Sequence, residues 1–303
     1  RLLSWCEKKG LPILRCGKVI APQKVELDSQ LDILMERGKK NGAKIEIISQ
    51  NKFRSLVPFG DSSTKRAIWS PATSVINPKQ VINKLKDKLI SMGVEIIFNC
   101  QIEFVNLKTN IITFSINNES RHANFSFLFN CAGLYADKVA KLFGISENLL
   151  IFPFKGIYWN LDPDSHLEFN TNLYPVPDLN VPFLGVHVTP SYDGNISLGP
   201  TAIPSLGREN YKGFENIETL NSFKFLFNLA KQFVKNENGF RKYSLEQALH
   251  GIKPLFYMSA KKLIPDLKIK DLIPSNKIGI RPQLYDIKKE RLIKDFVIKN
   301  SSN

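Results

Sequence analysis

Four short stretches of this chain carry residue types that do chemistry. In Gly185-Val-His187-Val-Thr189, strand alternation puts His187 and Gly185 on one face. An imidazole titrates in the range that suits a general base, while a histidine among apolar neighbours serves equally well as a hydrogen-bonded structural residue. In Gly279-Ile-Arg281-Pro-Gln283, Arg281 and Gln283 share one face of an apolar strand. A guanidinium buried there needs a partner, either an Asp or Glu of the fold or a substrate carboxylate held by two parallel hydrogen bonds. Pro153-Phe-Lys155-Gly156 offers a cation to an anion and a glycine to a flat ring, or is an ordinary turn. Phe127-Leu-Phe-Asn130-Cys131-Ala132-Gly133 is an apolar run opening into a helix through glycine, which lets a backbone approach a bulky ligand closely.

Elements of two kinds must position these groups. Toward the N-terminus, residues 1–10 close a helix at Gly10, Leu14 to Ala21 is a strand, Val25 to Arg37 has helical apolar spacing, Lys44 to Ile48 alternates, and Ser49 to Leu56 is a short helix. Pro78 to Met92 predicts an amphipathic helix with Pro78 in its first turn and Val81, Leu85, Leu89 and Ile90 as its stripe. Strand-like runs follow at Val94–Phe98, Ile102–Leu107, Ile111–Ile116 and Phe125–Asn130, then a helix from Tyr135 to Phe143. This order suits a parallel α/β core with an inserted β-meander. From Leu150 the pattern changes to strands separated by Pro, Gly and Asp turns (Ile151–Leu161, Asn172–Val176, Phe183–Thr189, Asn195–Leu198). Two helices, Asn221–Lys235 and Ser244–Tyr257, and two further strands, Lys277–Leu284 and Leu292–Ile298, complete the chain. Two interleaved domains fit this order better than two sequential ones.

Composition bounds the function. The 303 residues are 43% hydrophobic and 23% charged, ordinary for a globular protein with a sizeable core. No apolar run approaches the ~18–20 residues that span a bilayer. The net charge of +14 comes from 32 Lys and only 10 Arg, spread along the chain beside 26 Asn. Nucleic-acid readout favours clustered Arg, so the charge reads as a solvated basic surface and no nucleic-acid partner is expected. Cys6, Cys16, Cys100 and Cys131 lack short ligand spacing, and the four His are scattered, so reduced thiols and no metal site are expected.

Taken together and in order, Arg15-Cys-Gly-Lys18, Asn130-Cys-Ala-Gly-Leu134, Pro153-Phe-Lys-Gly156, Tyr174-Pro-Val-Pro177, Pro182-Phe-Leu-Gly-Val-His187, Leu198-Gly-Pro200 and Gly279-Ile-Arg-x-Gln283 resemble the FAD-dependent L-2-hydroxyglutarate oxidase/dehydrogenase family of D-amino-acid-oxidase-like flavoproteins. The resemblance covers nearly the whole chain. It implies an α/β fold in which a Rossmann-like FAD domain (79–149 plus 276–303) interleaves with a mixed, largely antiparallel substrate domain (1–78 plus 150–275). It implies hydride transfer from C2 of L-2-hydroxyglutarate to FAD, with quinone or oxygen as electron acceptor. His187 would be the base. Arg281, Gln283, Tyr174 and Lys155 would meet the dicarboxylate, and Asn130, Cys131, Ala132, Gly133 and Gly156 would lie along the FAD. It further implies the cytoplasm, with contact to the inner membrane, or the mitochondrion in a eukaryotic cell. The G-x-G-x-x-G that opens such proteins is absent from this sequence, so the FAD domain is expected to be incomplete and the chain a fragment. Pro282 stands where a small residue is usual. A superfamily member acting on an amino acid or glycerol 3-phosphate, and a non-catalytic remnant, are the rival readings.

Overall fold

The computed structural model describes residues 2–177, 185–236, 241, 244, 245, 247, 250–293 and 295–300. In chain order the helices are α1 (Leu2–Lys8), α2 (Asp28–Lys40), α3 (Gln50–Leu56), α4 (Pro78–Ser91), α5 (Ala136–Leu142), α6 (Thr219–Lys235) and α7 (Lys253–Lys261). The strands are β1 (Ile13–Leu14), β2 (Lys18–Ala21), β3 (Glu46–Ser49), β4 (Arg66–Ser70), β5 (Val75–Ile76), β6 (Cys100–Asn106), β7 (Ile111–Ile116), β8 (Glu119–Asn124), β9 (Leu149–Leu161), β10 (Asn172–Pro175), β11 (His187–Pro190), β12 (Ile196–Gly199), β13 (Ile203–Pro204), β14 (Leu272–Asp286) and β15 (Arg291–Leu292). The chain forms two compact units, one of residues 1–86, 155–203 and 238–279, the other of 87–154, 204–237 and 280–303.

The first unit is organised by a mixed sheet in the order β9-β12-β11-β10-β2-β4-β3. Only β10 and β2 pair in parallel here; the other neighbours run antiparallel. Register follows the alternation of side chains. Val19 lies opposite Leu173, Leu173 opposite Val188, Val188 opposite Leu198, and Leu198 opposite Trp159. The four aliphatic members of this row are fully buried, and they form one core with Phe53, Phe256, Leu263 and Ile264. The adjoining residues of each strand therefore face the other way.

The sequence predicts one strand from Leu14 to Ala21, and the structure breaks it at residues 15–17. Gly17 causes the break. Its φ is +64°, and a Cβ there would sit 1.9 Å from the Trp69 ring. Its carbonyl accepts a 2.6 Å hydrogen bond from the Asn172 side chain. Of the expected helix Ser244–Tyr257, residues 244, 245 and 247 are helical, the chain turns at 250–252, and α7 begins at Lys253 with Pro254 in its first turn; residues 242, 243, 246, 248 and 249 lie outside the described set, as do 183 and 184 of the run that leads into β11.

The second unit contains the expected meander, β6-β7-β8, in antiparallel register. The parallel core expected around it does not form among the described residues. Val94–Phe98 and Phe125–Asn130 are irregular rather than strands, and Phe127 and Phe129 are 75% and 80% exposed. A strand exists only where a neighbour receives its hydrogen bonds, and no described strand lies beside either run. The same holds for α4, none of whose residues is buried. Leu292–Ile298, expected as a strand, is reduced to the two-residue β15.

Order in this unit comes instead from an aromatic stack and a buried ion pair. Phe152 stacks on Tyr285 at 4.5 Å and tilts against Phe225 at 4.6 Å. Arg208 grips Asp137 with both terminal nitrogens, at 2.6 and 2.9 Å, with their side chains 7% and 1% exposed. The guanidinium also donates to the Leu134 carbonyl, and Asp137 accepts the Ile151 amide at 3.0 Å. Burial raises the Asp137 pKa, but the guanidinium and the amide outweigh it and hold the carboxyl below its ordinary value.

Two outcomes are expected. Arg208→Met should lower the unfolding free energy by about 3–5 kcal/mol by stranding a buried carboxylate, and adding Asp137→Leu should recover most of that loss in urea titrations. Gly17→Ala should cost about 2–4 kcal/mol, from the positive φ together with the wedge against Trp69; an unchanged urea midpoint would contradict that role.

Candidate functional site

The face of the first unit's sheet opposite the apolar row carries the chemistry. Lys18 and Ile20 of β2 lie opposite Asn172 and Tyr174 of β10. Tyr174 is one antiparallel step from the Leu173–Val188 pair and so faces His187 of β11. His187 lies opposite Gly199 of β12, and Gly199 is one step from the Leu198–Trp159 pair and so faces Tyr158 of β9. One transverse row thus runs Tyr174, His187, Gly199, Tyr158. Lys18 flanks its first end, with Nζ 5.3 Å from the centre of the Tyr174 ring. Lys277 of β14 flanks the other, with Nζ 4.4 Å from the centre of the Tyr158 ring.

His187 is 8% exposed and stacks on Tyr174 with ring centres 3.9 Å apart and 17° between planes. Its Nδ1 lies 3.1 Å from the Gly185 carbonyl. A carbonyl only accepts, so Nδ1 carries the proton and Nε2 presents a lone pair. Burial is the largest influence on this ring, and the Lys277 and Lys18 charges add to it; together they lower its pKa from 6.5 to about 4. The ring is therefore neutral at physiological pH. Burial also lowers the pKa of both lysines, although the stem of Lys277 is exposed. Burial raises the Tyr158 phenol, with a smaller push from Tyr174. Burial raises Tyr174 too, against the opposing effect of its hydrogen bond with Thr189.

Gly199 lets the backbone of β12 pack close against β9. Its φ is +141°, and a Cβ would stand 2.9 Å from both the Ile157 carbonyl and the Tyr158 ring. The row accordingly carries a proton acceptor at its middle and a cation at each end.

The structure brings together His187 and Tyr174 of the residues singled out from sequence. Lys155 is half-buried in β9, at a position that alternates with Tyr158 and shares the parity of Trp159. Gly156 has a packing reason of its own, since a Cβ there would lie 2.8 Å from the Pro200 Cβ. Arg281 and Gln283 belong to the second unit. The Arg281 side chain is exposed, so the burial that would have demanded a partner does not apply. The Gln283 side chain is 3% exposed and donates to the Ile293 carbonyl at 2.6 Å, tying the end of β14 to the segment after β15. Lys18, Tyr158, Lys277 and Gly199 were not among the residues singled out. Lys18 and Gly199 did stand in two of the quoted motifs, and the alternation Lys18-Val19-Ile20 carries the signal that Lys18 faces away from the core.

The Asn130–Gly133 segment is an exposed turn. The Asn130 side chain accepts the Ala132 amide at 3.2 Å and donates to the Ala136 carbonyl at 2.8 Å. Gly133 has φ +54°, and no heavy atom lies within 4 Å of a Cβ built on it. The backbone here is open to a flat group laid against it, which suits a flavin nucleotide. Among the described residues no three His, Cys, Asp or Glu are placed to hold a metal ion.

Over 315 residues the chain is 30% identical to the mitochondrial L-2-hydroxyglutarate dehydrogenase of Bos taurus, covering 98% of this chain and 65% of that protein. It is 30% identical to L-2-hydroxyglutarate dehydrogenase from Indibacter alkaliphilus, covering 100% of this chain and 74% of that one. The chain therefore spans about two thirds of the length of these curated relatives. Among solved structures, L-alpha-glycerophosphate oxidase from Mycoplasma pneumoniae, a structure with FAD bound, superposes with a TM-score of 0.65 at 20% identity, over 92% of this chain and 64% of that one. L-proline dehydrogenase from P. horikoshii superposes at 0.61 and 15% identity, over 92% and 63%. These two likenesses show the fold alone. With a family model matching residues 1–299, the chain belongs to the FAD dependent oxidoreductase (DAO) family.

Proposed function

We propose that the protein acts in the FAD-dependent oxidation of L-2-hydroxyglutarate to 2-oxoglutarate. The observation that carries this reading is His187: a neutral, nearly buried imidazole whose Nε2 lone pair is free to take a proton, on the polar face of the substrate sheet. The names of the relatives at 30% identity support the choice of substrate.

FAD, when bound, supplies the two-electron acceptor for the hydride that leaves C2. The chain's own residues do the rest. His187 accepts the C2 hydroxyl proton at Nε2, while the Gly185 carbonyl holds its tautomer and Tyr174 holds the plane of the ring. An anion bound beside Lys18 and Lys277 cancels their charge and raises the His187 pKa toward the range in which it is an effective base. The exposed turn Asn130–Gly133 offers its backbone to the cofactor.

In this reading 1–78 plus 150–275 serve the substrate and 79–149 plus 276–303 serve FAD. Electrons pass on to quinone or oxygen. No helix of the described residues is long and apolar enough to cross a membrane; a peripheral membrane contact would use α6, whose Phe223 and Phe227 are 72% and 55% exposed.

Two measurements test the base. In the flavin-loaded full-length enzyme, His187→Gln should slow anaerobic flavin reduction by L-2-hydroxyglutarate about 10²–10⁴-fold with little change in substrate affinity; reduction at the wild-type rate removes His187 from the chemistry. The second needs no turnover. Because the folded-state pKa lies below the unfolded value, His187 contributes stability that is complete above pH 6.5 and lost as the pH falls toward 4. The loss should be about 3 kcal/mol, and His187→Gln should remove that part of the pH dependence in urea titrations.

A further inference from the structure

We infer that Lys18 and Lys277 are the two jaws of a clamp for a short dicarboxylate, holding one carboxylate at each end of the row so that the carbon between them lies over Gly199 beside His187. This rests on the oxidation proposed above and goes beyond it in assigning the residues that select a substrate with two carboxylates.

The geometry carries the assignment. The two ammonium groups stand at opposite ends of one row, over Tyr174 and over Tyr158. From β10 to β9 the row crosses three strand spacings, about 14 Å at ~4.8 Å each, and two lysine stems reaching inward shorten that to the span of a short diacid with a charge-assisted hydrogen bond at each end. Between the jaws, His187 supplies the proton acceptor, and Gly199 adds no side chain of its own, its backbone packing close to the Ile157 carbonyl and the Tyr158 ring.

The charges point the same way. Among the described residues neither lysine has an Asp or Glu in ion-pair range, whereas Arg15, Arg54, Arg66, Arg121 and Arg208 all do. Two cations facing an uncharged imidazole gain only the attraction of the tyrosine rings. Two negative charges from a ligand answer both at once, while a monocarboxylate answers one. Lysine suits the task, being a point charge on a stem long enough to adjust to either carboxylate oxygen.

Calorimetric titration of the full-length protein with glutarate and with butyrate, neither of which can be oxidised at a hydroxyl, tests this apart from catalysis. Glutarate should bind at least about 10-fold more tightly than butyrate. Lys18→Met and Lys277→Met should each raise the glutarate Kd about 10-fold or more, and the Lys→Arg forms should keep most of the affinity. Butyrate should respond to only one of the two Met variants. His187→Gln should leave glutarate binding within about 3-fold, so that a failed base and a failed clamp give different patterns. Denaturation midpoints near wild type confirm that the Met variants are folded. The clamp is overturned if glutarate does not bind, if it binds no better than butyrate, if glycerol 3-phosphate binds more tightly than glutarate, or if folded Met variants keep wild-type affinity.

Discussion

Strand alternation in the first unit's sheet is the constraint from which the site follows. Val19, Leu173, Val188 and Leu198 are opposite one another and completely buried. Burying four such side chains contributes roughly 1.5–3 kcal/mol each before entropy is counted, and that preference fixes the register of four strands together. With the register set, the neighbours of those residues have no choice of side. Tyr174, His187, Gly199 and Tyr158 must line up on the other face, and Lys18 must stand beside them. The site is the reverse side of the core.

Electrostatics then give this face its character. A buried imidazole between two lysines stays neutral, and its one bonded nitrogen is committed to the Gly185 carbonyl. The contrast with the second unit is instructive. There the buried guanidinium of Arg208 is saturated by Asp137 and the Leu134 carbonyl, which makes it a structural tie with nothing to offer a ligand. In the row of the first unit, Lys18 and Lys277 are left to the attraction of tyrosine rings. The same charge type holds a fold in one place and awaits a counter-charge in the other.

Much of this was legible in the sequence. The meander, the amphipathic segments and the strands of the substrate sheet follow from periodicity, and His187 and Tyr174 from their place in motifs. The misses have physical causes. Val94–Phe98 and Phe125–Asn130 have strand composition, yet strand composition is realised only against a hydrogen-bonding neighbour. Gln283 looked free to meet a substrate because its amide contact, the Ile293 carbonyl ten residues on, depends on the turn between β14 and β15. Lys18, Tyr158 and Lys277 escaped notice because their significance lies in cross-strand register, which one strand read alone does not contain.

The parallel pairing of β2 with β10 brings residue 18 beside residue 172, and their neighbours reach residue 277. Tyr158, Lys18 and Lys277 join the row from remote segments, whereas Tyr174, His187 and Gly199 come from the consecutive strands β10, β11 and β12. The remote contacts form slowly, because loops must close before they are rewarded. The β11–β12 hairpin already sets His187 opposite Gly199, but neither lysine nor Tyr158 belongs to it. The complete row comes into being only when the whole sheet closes, and loosening an outer strand disperses it. In a cell, activity and complete folding of this unit would rise and fall as one quantity.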